Sequence, residues 1–114
     1  MSSNGFYLSV TATLPNMIVA RNYLNWVTSD NGPIKRVMGE GAVSGLAVLL
    51  DSSPPASSEV SIATQYVFGS RESFDRYQFG PVAKSLREEG AKRFASSGIK
   101  FSRATGEIKH SVSS

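Results

Sequence analysis

The segment from Ser70 to Ile108 constrains the fold of this chain more than any other. Ser70 is a helix N-cap with Glu72 in the first turn behind it, and Phe74 and Tyr77 give that helix an inner face. Gly80-Pro81 must kink or restart the helix, because proline removes an amide donor and collides with the preceding turn. Beyond it, Val82, Leu86, Ala91 and Phe94 fall at apolar positions, while Glu88 with Lys92 and Glu89 with Arg93 are spaced four apart as solvated charge pairs. Gly98 reads as the C-cap and Ile99 to Ile108 as a strand. In that strand Ile99 and Phe101 share one face and Ala104 and Ile108 the other, which predicts a bulge or bend near Ser102-Arg103. A helix that must lie on something, followed by a strand that must pair, belongs to a small α+β domain.

Upstream, Phe6 to Thr13 alternates cleanly. Phe6, Leu8, Val10 and Ala12 point one way, and Tyr7, Ser9, Thr11 and Thr13 the other. Pro15-Asn16 breaks that strand and Asn16 caps a helix whose inner stripe is Ala20, Tyr23, Leu24 and Val27. Asp30-Asn31-Gly32-Pro33 ends the helix, and Ile34 to Met38 supplies one further short turn. Val43 to Asp51 is a second strand, with Leu46, Val48 and Leu50 on one face and Ala47 and Leu49 on the other. Residues 52–58 form a polar, Pro-rich hairpin connection. In the third strand, Glu59 to Phe68, Val60, Ile62, Tyr66 and Phe68 oppose Ser61, Ala63, Gln65 and Val67.

The order is therefore β-α-β-β-α-β, the split βαβ or ferredoxin-like pattern: a four-stranded antiparallel sheet with two helices on one face. All 114 residues fit one domain, 1–114, ending in a frayed tail over 110–114. No helix remains for the opposite face, and the second strand, a sheet edge in this topology, is apolar on both sides. A second copy of the chain is the simplest cover, so a homodimer is expected.

Composition removes several chemistries. The chain has no cysteine, which excludes disulfides, thiolate catalysis and Cys-ligated metals. Its net charge of +3 comes from dispersed basic residues interleaved with acids, so no nucleic-acid footprint is expected. The longest apolar run, Leu46 to Leu50, cannot span a bilayer, and the N-terminus shows no secretory pattern; a cytoplasmic protein is expected. The only histidine, His110, lies in the tail without an acid beside it, and Gly39-Glu40-Gly41 is too short for a phosphate loop. No metal and no cofactor is expected.

Short motifs through nearly the whole chain carry a resemblance. They are Tyr7-Leu8-Ser9-Val10-Thr11, Trp26, Gln65-Tyr66, Arg76-Tyr77, Leu86-Arg87-Glu88-Glu89-Gly90, Arg93-Phe94 and Ser102-Arg103. In these the chain resembles the dimeric α/β-barrel proteins of the ferredoxin-like class, and within them a group of small, mostly bacterial domains of unknown function. The resemblance implies the same fold and a dimer. It departs where that group tends to carry a His-Ile-Pro-like step after the first helix; this chain has Gly32-Pro33-Ile34, so any role of that histidine is not available.

The expected site is the uncovered sheet face, with Tyr7, Ser9, Thr11, Ala63, Gln65 and Arg103 as contributors. Gln65 offers a donor and an acceptor, and Arg103 a planar fork for a carboxylate or phosphate. Ser9, Thr11 and Gln65 equally suit hydrogen bonds across a dimer interface. Trp26, the only tryptophan, is a packing, interface or ligand residue. Three functions fit: a domain enclosing a small organic ligand between two sheet faces, a cofactor-free monooxygenase- or isomerase-like enzyme on an aromatic or polyketide-like substrate, and a purely structural dimerisation module.

Overall fold

Alternation in two central strands builds the sheet. The computed structural model describes residues 5–51 and 58–112. In it β1 (Phe6–Leu14) pairs antiparallel with β3 (Val60–Phe68) on one side and with β4 (Lys100–Glu107) on the other, and β2 (Ala42–Leu49) pairs antiparallel with β3. The strand order is β2-β3-β1-β4. Phe6, Leu8, Ala12 and Leu14 of β1 and Val60, Ile62, Tyr66 and Phe68 of β3 are all buried on one face. This is the βαββαβ ferredoxin-like fold.

Each helical connection is broken in two by proline. Between β1 and β2 run α1 (Met17–Val27) and α2 (Pro33–Met38); between β3 and β4 run α3 (Arg71–Gln78) and α4 (Pro81–Arg93). The side chain of Asn16 accepts from the Val19 amide at 3.0 Å, and that of Ser70 from the Ser73 amide at 3.1 Å, so both predicted caps form. Pro33 and Pro81 each open a helix, where the lost N–H has no partner in any case. Pro81 thus restarts the chain as a separate helix. Gly98, at φ +70°, lies beyond the Phe94 C-cap and turns the chain into β4.

The helices bury Ala20, Tyr23, Val27, Val37, Phe74, Tyr77, Ala83, Leu86 and Phe94 against the sheet. Two aromatic groups anchor the ends of this layer. Phe74 packs on Phe6 and Phe68 with centroids 4.8 and 5.5 Å apart, and Phe68 stacks on Tyr77 at 5.5 Å. Tyr23, Trp26 and Phe94 form the other group, with centroids 5.5–6.0 Å apart. Each such ring contributes about 1.5–3 kcal/mol through burial.

Two sequence expectations give way. The strand β4 has no bulge: it runs in unbroken register from Lys100, opposite Thr13, to Glu107, opposite Phe6. Its helix-facing row is Phe101, Arg103, Thr105 and Glu107, so apolar residues could not mark the alternation. The irregularity lies instead in β2, where register shifts between Ala42 and Ser44 and leaves Val43 exposed. Glu89 pairs with Arg36 of α2 rather than with Arg93. The predicted connection over 52–58 lies outside the described residues except for Ser58, as do the last two residues of the predicted tail.

A candidate ligand cavity between sheet and helices

Small residues on α4 leave volume unfilled between that helix and the sheet. Ala83, Leu86, Arg87, Gly90 and Ala91 recur at helical spacing on the face of α4 that borders a cavity of about 390 Å³. That volume lies within the range of small-molecule sites. Its sheet side is Leu8 and Val10 of β1, Thr64 and Tyr66 of β3, and Phe101 and Arg103 of β4. Tyr23 and Trp26 of α1, Pro33 and Val37 of α2, and Tyr77 of α3 add to the walls. Gly90 makes the closest approach: a Cβ there would lie 3.3 Å from Trp26 Cη2, so the missing side chain lets the indole rest against the helix backbone. Glycine inside a helix costs about 1 kcal/mol relative to alanine, and this contact gives a reason for it.

Polar groups are few and specific. Thr64 is buried on an otherwise apolar row, and its hydroxyl donates to the carbonyl of Val10 at 3.2 Å. The same hydroxyl neighbours the phenols of Tyr23 and Tyr66. Burial pushes both phenols above their ordinary pKa, and the hydrogen-bonding influence of Thr64 offsets this in part. The Tyr77 phenol is also raised by burial, against the opposing fields of Arg103, Arg87 and Arg36. Arg36 is held by Glu89 and by Ser85 Oγ, the latter at 2.9 Å. Trp26 Nε1 is buried with no hydrogen-bond partner among the described residues, a donor left available for an acceptor.

The structure splits the residues expected from sequence. Tyr7, Ser9, Thr11 and Gln65 do share the sheet face that carries no described helix, and Ser9 lies directly opposite Gln65. Arg103 is not with them. It pairs with Val10, a helix-side position, and its guanidinium lies 5.8 Å over the Phe74 ring and bonds Gln78 Oε1. Trp26 joins Arg103 in lining the helix-side cavity. The sequence reading missed Tyr23, Thr64, Tyr77, Arg87 and Gly90 as a group. Two signals were present: a threonine on an apolar strand row and a glycine inside a helix. Among the described residues no cluster of His, Asp or Glu is placed to hold a metal, and no helix is long and apolar enough to cross a membrane.

With this geometry the chain is similar in structure to several solved proteins. A dimeric ferredoxin-like protein from an uncultured marine organism matches with a TM-score of 0.70 at 12% identity, over 96% of this chain and 92% of that one. An ethyl tert-butyl ether D (EthD) family protein of Bacillus halodurans matches at 0.61 and 13% identity, over 90% of this chain and 98% of that one. A Streptomyces coelicolor monooxygenase in complex with nanaomycin D matches at 0.61 and 16% identity, over 96% of this chain and 92% of that one. At such identities the likeness establishes the ferredoxin-like fold. No protein-family model matches the sequence, and no significant match to a curated protein was found.

Proposed function

We propose that this domain binds a small, largely apolar organic molecule in the helix-side cavity, and that it works as a homodimer joined through the open sheet face. The observation that carries the ligand reading is the cavity of about 390 Å³ with aromatic walls and a few placed polar groups. Trp26 and Tyr66 offer ring surfaces, while Thr64, Tyr77 and Arg103 offer hydrogen bonds. Tyr7, Ser9, Thr11 and Gln65 belong, in this reading, to the dimer interface. The dimeric ferredoxin-like neighbour supports that assembly. Oxidation of an aromatic ligand without a cofactor is the second reading, favoured by the neighbour that is a monooxygenase in complex with nanaomycin D.

N-Phenyl-1-naphthylamine, an uncharged two-ring dye, tests the cavity directly. Its fluorescence should rise on binding to the protein and be lost in Val10→Phe, which fills the cavity from the sheet side. Undiminished dye binding by a folded Val10→Phe variant would refute the assignment. Oxygen uptake with a bound aromatic substrate then separates enzyme from binding domain.

A further inference from the structure

Arg103 lines the helix-side cavity and also a second cavity, of about 470 Å³, between α3 and β4. It is the one residue that the two share. Their chemistry differs. The first is mostly aromatic and aliphatic, whereas the second is bordered by Arg71, Gln78, Arg103, Thr105 and Glu107 over the rings of Phe6 and Phe74.

Two guanidiniums are laid over that ring pair. Arg71 lies 5.1 Å from the Phe6 centroid and Arg103 5.8 Å from that of Phe74, and the two rings are 4.8 Å apart. Stacking of this kind orients a guanidinium before any anion arrives and spares its N–H fork for hydrogen bonding. Neither arginine is neutralised by a buried carboxylate: the one ion pair here, Arg71 with Asp75, is solvated, and Glu107 acts on Arg71 only through its field. Asp75 approaches Arg71 only at 3.7 Å between solvated side chains, and Arg103 bonds the neutral amide of Gln78. An arginine carries several N–H donors, so the Gln78 bond fixes the plane of Arg103 and leaves others open. Glu107 opposes an anion here, but its carboxylate is engaged by Lys109 at 2.8 Å.

We propose that the second cavity is an anion subsite joined through Arg103 to the first. The ligand is then a small apolar acid, an aromatic carboxylate or sulfonate, with its rings near Trp26 and Tyr66 and its charge between Arg103 and Arg71. This rests on the reading of the helix-side cavity as a ligand site, and the test separates the two.

A matched dye pair supplies the test: 1-anilinonaphthalene-8-sulfonate and N-phenyl-1-naphthylamine share the ring system and differ by the sulfonate. The parent should bind the sulfonate more tightly. Arg103→Gln should weaken the sulfonate about tenfold and Arg71→Gln about threefold, as expected for lost charge-assisted hydrogen bonds, with the uncharged dye changed by less than about twofold. Lys84→Gln, an exposed change on α4 outside both cavities, should leave both dyes unaffected, and Glu107→Gln should strengthen the sulfonate. All four positions are exposed, so the variants should fold, and circular dichroism is the check. Equal losses in Arg103→Gln and Lys84→Gln would reduce the effect to long-range charge and overturn the subsite. So would equal losses of the two dyes in Arg103→Gln, but the cavity reading would survive. If neither dye binds the parent, the cavity reading fails and the subsite with it.

Discussion

Gly90 and Gly98 show how the same residue type serves two unrelated purposes. At Gly90 the constraint is space, since an added Cβ meets Trp26 at 3.3 Å. Gly90→Val should therefore overpack the contact and cost about 1–3 kcal/mol, with a shift in the emission of the only tryptophan; urea denaturation followed at Trp26 measures both. At Gly98 nothing lies within 4 Å, but φ is +70°. Gly98→Ala should cost about 1–2 kcal/mol through backbone strain alone, without moving the Trp26 emission. Buried phenols give a further residue-scale signature. The pKa values of Tyr23, Tyr66 and Tyr77 are all raised above 10.0 by burial. Their neutral forms are favoured in the folded state, so their contribution is fully present below pH 10 and is lost as pH rises through the folded pKa values. Stability should fall progressively above about pH 10, and absorbance of these phenols near 295 nm should develop with unfolding. Ionisation of all three at pH 10 in a folded protein would contradict their burial.

At the scale of elements, legibility depended on which residues carried the alternation. The rows Phe6/Leu8/Ala12 and Val60/Ile62/Tyr66 are apolar, so β1, β3 and their inward faces could be read from hydrophobic period alone. In β4 the inward row includes Arg103, Thr105 and Glu107, so the same rule set Ile99 and Phe101 against Ala104 and Ile108 and inferred a bend that is not there. That error moved Arg103 to the wrong side of the sheet and hid the cavity, because one residue of register exchanges the two faces. The charged side of α4 was also only half legible: helical spacing offered Arg93 to Glu89, whereas tertiary packing delivers Arg36, and Ser85 one turn earlier on α4 donates to the same carboxylate. This contact ties α2 to α4. Arg36 holds the Glu89 carboxyl below its ordinary pKa, so the stabilisation is present above the unfolded value and lost as pH falls through the folded one. The pair is partly solvated, so Glu89→Gln should cost no more than about 1 kcal/mol at pH 7. Thermal melts should show the difference from the parent shrinking as pH falls below the ordinary carboxylate range. A difference that does not shrink at all on acidification would mean that packing, not charge, links the two helices.

Across the whole molecule, the cavity and the expected interface lie on opposite sides of one sheet, so assembly and binding can be separated by substitution. The open face combines Tyr7, Ser9, Thr11 and Gln65 with the row Leu46 and Val48 from edge strand β2. Leu46 is 47% exposed in the single chain. An apolar edge of this kind is a hazard unless covered, whereas the β4 edge is protected by Lys100, Arg103 and Glu107. Leu46→Glu should therefore leave the chain folded, since the side chain already meets solvent. In a dimer the same glutamate would be buried without a partner, which disfavours association strongly. Light scattering at tens of micromolar should give twice the 12.2 kDa chain mass for the parent and a single chain mass for the variant. A monomeric parent would remove the dimer from the proposal. The variant carries a second prediction, because the helix-side cavity lies across the sheet from the face that carries Leu46. Monomeric Leu46→Glu should bind N-phenyl-1-naphthylamine within about twofold of the parent. Loss of dye binding together with the dimer would show that the cavity needs its neighbour to hold its shape.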